Sequence, residues 1–114
     1  MNRVISLVQC VSKKKDAPSL AKELYISQLF TNASAYAEKI SDKWFILSAK
    51  HGLVRPSELL EPYNISLKNM TAKERRKWAD RVFHELKPIL KRNDRVIILA
   101  GVIYRKDIID KIED

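Results

Sequence analysis

The chain has 114 residues, 46% of them hydrophobic and 32% charged, enough for one domain with its own core. A single cysteine excludes an internal disulfide and a thiolate zinc cage, and no apolar run approaches the roughly 18 residues of a membrane span. The 22 basic against 14 acidic residues leave a net charge of +8, which suits a protein that meets phosphate.

The first apolar segment runs from Arg3 to Val8 without polar alternation, which predicts a central strand buried on both faces. It empties into Gln9, Cys10, Ser12 and the lysines Lys13, Lys14 and Lys15. Pro18 biases Ala17 away from helix, and Ser19 is placed to cap a short helix through Glu23. A second helix is predicted over about 29–40, with Phe30, Ala33, Ala37 and Ile40 spaced for one face. Ser41-Asp42 then turns into a second apolar run, Trp44 to Leu47, which gives way abruptly to Ser48, Lys50, His51 and Gly52. The stretch 54–64 has two prolines and no period, so a loop is expected there, with one helical turn from Ser57. Thr71 to Glu74 is a capping box opening the longest helix, expected over 71–92 with Trp78, Val82 and Leu86 inward and Pro88 kinking or shortening its end. After Asn93-Asp94 the third apolar run, 95–100, leads into Gly101, Tyr104 and Arg105, and a last helix is predicted from Tyr104 to Glu113.

This order predicts a single α/β domain over 1–114, three-layered, with a small mainly parallel sheet, helices on both faces and right-handed crossovers. All three strands turn from apolar to polar at their C-terminal ends, where open parallel sheets hold their ligands. Cys10 and Ser12 beside lysines suit an activated nucleophile or an anion cradle; the plain alternative is a buried cysteine and a solvated lysine run. Lys50 next to His51 offers a base or amine nucleophile and a proton shuttle, against a turn in which Ser48 satisfies backbone groups. Cys10, Ser12, Lys50 and His51 are therefore the catalytic candidates. Glu61 and Tyr63 are expected over the same crevice, with Gly101 and Tyr104 reaching it from the third strand. The loops lack the glycines of a phosphate-binding loop or dinucleotide fingerprint, so no cofactor is expected, and two histidines with one cysteine identify no metal set. Arg75, Arg76, Lys77 and Arg81 on the long helix, with Lys14 and Lys15, form a candidate nucleic-acid surface, where Trp78 either stacks on a base or packs in the core.

Taken together, Cys10-Val-Ser-Lys-Lys14, Ala21-Lys-Glu-Leu-Tyr-Ile-Ser-Gln-Leu-Phe30, Tyr36-Ala-Glu38, Trp44-Phe-Ile-Leu-Ser-Ala-Lys-His-Gly-Leu53 and Glu61-Pro-Tyr63 resemble an uncharacterised YaaA-like domain family of bacteria and phages. That group is in turn similar to the core domain of archaeosine synthase. The resemblance implies a nucleobase or nucleic acid as ligand and, through the archaeosine relative, modification of a base. It carries over the positions Cys10, Ser12, Lys13, Lys22, Tyr25, Ser48, Lys50, Gly52, Glu61 and Tyr63, and assigns no reaction. Related chains continue past the third strand into a further strand and a Gly- and Gln-containing segment; this one stops at Asp114, which would leave a sheet edge open. The resulting expectation is a cytoplasmic, nucleic-acid-related protein with a nucleotide, nucleobase or nucleic-acid partner, no membrane contact and self-association left open. A non-catalytic DNA-binding module and a protein-interaction module are the alternatives.

Overall fold

The three apolar runs become the parallel centre of a four-stranded sheet in the computed structural model, which describes residues 3–113. In chain order the elements are β1 (Val4–Gln9), β2 (Ser19–Leu20), α1 (Ala21–Leu24), α2 (Gln28–Ile40) and β3 (Lys43–Ser48). There follow β4 (Gly52–Val54), β5 (Leu59–Leu60), α3 (Ala72–Leu86), β6 (Arg95–Leu99) and α4 (Val102–Glu113). The main sheet has the order β4-β3-β1-β6, with β1 parallel to both neighbours and β4 antiparallel to β3. Ser6 stands opposite Trp44 on one side and Ile97 on the other, so the first predicted strand is central as its composition required. Ile5, Leu7 and Val8 are fully buried.

The crossover hand decides where the helices lie. The chain moves from β1 to β3 through α2 and returns from β3 to β6 through α3, so two right-handed connections in opposite directions place α2 and α3 on opposite faces. α2 covers β1 and β3, while α3 packs on β4 and on α4. The Trp78 and Tyr104 rings meet edge to face at 5.5 Å between those two helices. At the far end of the sheet Arg3 grips the turn before β6, donating to Asp94 at 2.7 Å and to the Ile89 carbonyl at 3.0 Å.

Local features depart from expectation where chain geometry outweighs pattern. Ser19 does not cap a helix: it pairs with Leu60 in the two-stranded β2–β5 ladder, and its hydroxyl donates to the Ala17 carbonyl. The stretch after Gly52 is not strandless, since β4 and β5 are both short strands, and no helical turn forms from Ser57. Three- and two-residue strands are too short to carry a readable period. Ser27 caps α2 by accepting the Phe30 N–H at 3.1 Å. α3 stops at Leu86 rather than near Arg92, because Pro88 lacks the donor that a further turn needs. Among the described residues β6 is a sheet edge, and its Val96 to Leu99 side chains are half-buried.

Candidate functional site

The loop leaving β1 and the first turn of α4 diverge where the strand order reverses, and a cavity of about 510 Å³ opens between them. Such a switch point at the carboxyl ends of parallel strands is where open α/β sheets bind ligands. Gln9, Cys10, Val11 and Ser12 line it from β1, and Gly101 to Tyr104 from α4. Ser66 and Lys68 close it from the turn before α3. The N-terminus of α4 brings the positive end of its dipole to the cavity, with the Tyr104 N–H donating to the Gly101 carbonyl at 3.1 Å. Gln9 Oε1 accepts the Gly101 N–H at 2.7 Å, fixing the two strand ends to each other. Cys10 Sγ and the Tyr104 hydroxyl share a hydrogen bond of 3.4 Å on the floor. Burial pushes the Tyr104 phenol well above its ordinary value of 10.0, so it keeps its proton at neutral pH.

Ser48, Lys50, His51 and Gly52 do not line this cavity. They form the β3–β4 hairpin turn, in which Ser48 faces Gly52 across the ladder. The Ser48 hydroxyl accepts the His51 N–H at 3.0 Å and shares a 2.8 Å bond with Tyr63. Tyr63 in turn shares a 2.6 Å bond with Tyr25. Lys14 Nζ stands 4.3 Å from the centre of the Tyr63 ring, a cation–π contact, and His51 meets that ring edge-on at 5.4 Å. Burial raises the Tyr25 phenol to about 12 and raises Tyr63 also. Partial burial, with Lys50 and Arg81 nearby, lowers His51 below its ordinary 6.5, so its ring is neutral. Burial likewise lowers the Lys14 ammonium from its usual 10.5. The result is a connected polar seam in which the phenols keep their protons.

One face of α3 grips the same hairpin. Trp78 Nε1 donates to the Ser48 carbonyl at 2.8 Å, Arg81 donates to the Lys50 carbonyl at 3.0 Å, and Glu85 accepts the Leu53 N–H at 3.1 Å. Trp78 is therefore core and clamp rather than a stacking platform. The Lys50 side chain is exposed.

A family model described as a family of unknown function, DUF6884, matches residues 5–114. The chain belongs to this family. It is 31% identical over 114 aligned residues to the uncharacterized protein YfjM of Bacillus subtilis, covering 89% of this chain and 71% of that protein. A UPF0246 protein of Limosilactobacillus reuteri is 29% identical over 111 residues, where the match takes in 90% of this chain but only 43% of the relative. No solved structure matches.

The sequence candidates of this DUF6884 chain thus fall into groups. Cys10, Ser12, Gly101 and Tyr104 come together at the cavity. Tyr25, Ser48 and Tyr63 form the seam beside it, and Gly52 belongs to the hairpin. Lys13 and Lys15 are exposed, and their backbones pair with Ile26 and Leu24. Lys22 and Glu61 are exposed side chains away from the cavity lining. On α3, Arg75 is held by the Leu67 carbonyl at 2.9 Å and Arg81 by the hairpin, so two of the four expected phosphate contacts are engaged internally. Arg76 and Lys77 are exposed in a groove that they share with Asp80, Asp107 and Asp110. Ser66 and Lys68 are not among the sequence candidates. Lys68 sits in a short turn without period, and only the fold brings it across to β1. Among the described residues no cluster of His, Cys, Asp and Glu is placed to hold a metal ion, and no helix is long and apolar enough to cross a membrane.

Proposed function

We propose that this domain binds a nucleotide-type ligand, a phosphate joined to a nucleobase, in the cavity between the C-terminal ends of β1 and β6. The observation that carries the reading is the position of that cavity at the switch point, with the α4 amides and Lys68 supplying positive charge and Ser12 and Ser66 supplying hydroxyls. The net charge of +8 would draw such an anion in. The YaaA-like resemblance, with a nucleobase or nucleic acid as its implied ligand, points the same way. Binding is the role read here: of the four catalytic candidates Cys10 and Ser12 line the cavity, whereas Lys50 and His51 lie outside it. A continuous nucleic-acid surface on α3 is less favoured, since Arg75 and Arg81 are engaged internally and the groove beside Lys73, Arg76 and Lys77 also holds Asp80, Asp107 and Asp110. The free, buried Cys10 fits a reducing, cytoplasmic setting.

Calorimetric titration with nucleoside monophosphates, free bases and inorganic phosphate tests this directly. Lys68→Ala should weaken phosphate-bearing ligands roughly tenfold, the loss of about one charge-assisted hydrogen bond. Tyr63→Phe should lower the melting temperature and leave affinity unchanged, because Tyr63 belongs to the seam. Equal affinity in native protein and Lys68→Ala would contradict the reading. So would tight, salt-steep binding of any duplex DNA that reversing Arg76 and Lys77 abolishes.

A further inference from the structure

α2 lies chiefly over β1 and β3, and a gap remains between it and the end of β6. A second cavity of about 300 Å³ occupies that space. Its walls are Val11, Leu29, Phe30, Ala33, Leu99 and Ala100, and Leu29 overhangs the rim with 73% of its surface exposed. Val11, Gln9 and Gly101 border both this chamber and the first cavity, so the two adjoin, with the Gln9–Gly101 hydrogen bond between them.

We propose that this apolar chamber is the ring subsite of the same ligand, taking the aromatic base while the phosphate stays by Lys68 and Ser12. The proposal rests on the nucleotide-binding reading above and adds the ligand's orientation. Sites for small molecules join an apolar wall to a few fixed polar groups, and here Ser12, Ser66 and Lys68 stand in the larger cavity while the chamber beside it is almost wholly apolar. Among the chamber's side chains, only Gln9 is polar. Its Oε1 is occupied by Gly101, so Gln9 offers its amide N–H groups at the junction. They would select a ring carrying an acceptor, a heterocyclic nitrogen or a carbonyl oxygen. A purely aliphatic group would leave them without a partner.

Calorimetry with inorganic phosphate and phenyl phosphate isolates the ring. The native protein should bind phenyl phosphate roughly tenfold more tightly than phosphate, the gain from burying one face of an aromatic ring. Ala33→Phe fills the chamber and should bring that ratio close to one. Ala33 is only partly buried on α2, and a melting curve checks that the variant folds. If it does not, Leu29→Ser at the exposed rim should reduce the ratio severalfold. Equal affinity for the two probes, or a ratio surviving both substitutions, would overturn the ring subsite while the phosphate site stands. If neither probe binds, the underlying reading fails with it.

Discussion

Gly52 holds a left-handed backbone, φ 74°, and a Cβ built on it would stand 2.3 Å from the Glu85 carboxylate. Both facts fix glycine here, since other residues rarely adopt that conformation and Glu85 is already committed to the Leu53 N–H. Gly52→Ala should therefore lower stability by about 1–3 kcal/mol in denaturant titrations. An unchanged midpoint would show that the hairpin relaxes freely. The neighbouring Ser48, Lys50 and His51 illustrate why a site cannot be read from residue types alone. A hydroxyl, an amine and an imidazole at a strand end are equally the makings of a tight turn. Ser48 ties the turn through its hydroxyl, Lys50 through its carbonyl, and His51 through its backbone N–H. Only Ser48 uses the side-chain group that made it conspicuous; the Lys50 amine and the His51 imidazole take no part in these hydrogen bonds.

At the level of elements, the three long strands were legible because each is a compact apolar run bounded by turn residues. The helices α2 and α3 were legible from their one-sided spacing, and α3 from its capping box as well. What escaped were contacts that only the assembled fold creates. Trp78, Arg81 and Glu85 share one face of α3, yet nothing in their spacing announces that each will hold a backbone group of the hairpin. The Arg3–Asp94 pair is similar, joining the start of β1 to the turn before β6. Its hydrogen bond holds the Asp94 carboxyl below the ordinary 3.8. A carboxyl depressed on folding stabilises above its unfolded value, and that contribution is lost as pH falls through 3.8 toward the folded one. Melting temperature should thus fall on acidification below about pH 4 more steeply in the native protein than in Asp94→Asn, which starts lower at neutral pH. Parallel curves would mean that the pair adds nothing to the acid response.

Across the whole molecule, opposed crossovers leave β1 central and put the order reversal between β1 and β6, with α2 and α3 on opposite faces. The same topology creates the cavity at the strand ends and exposes the apolar chamber beside it. It also explains why only part of the candidate site was readable: Cys10, Ser12, Gly101 and Tyr104 follow strands, whereas Ser66 and Lys68 arrive from a turn that no pattern marks. Amide chemical-shift mapping during titration with a nucleoside monophosphate tests the central claim most directly. Saturable shifts should concentrate at 9–12, 66–68 and 101–104, with the hairpin 48–54 and the exposed face of α3 little changed. Shifts confined to Arg76, Lys77 and their neighbours on α3, or none at all, would contradict a ligand site at the strand ends.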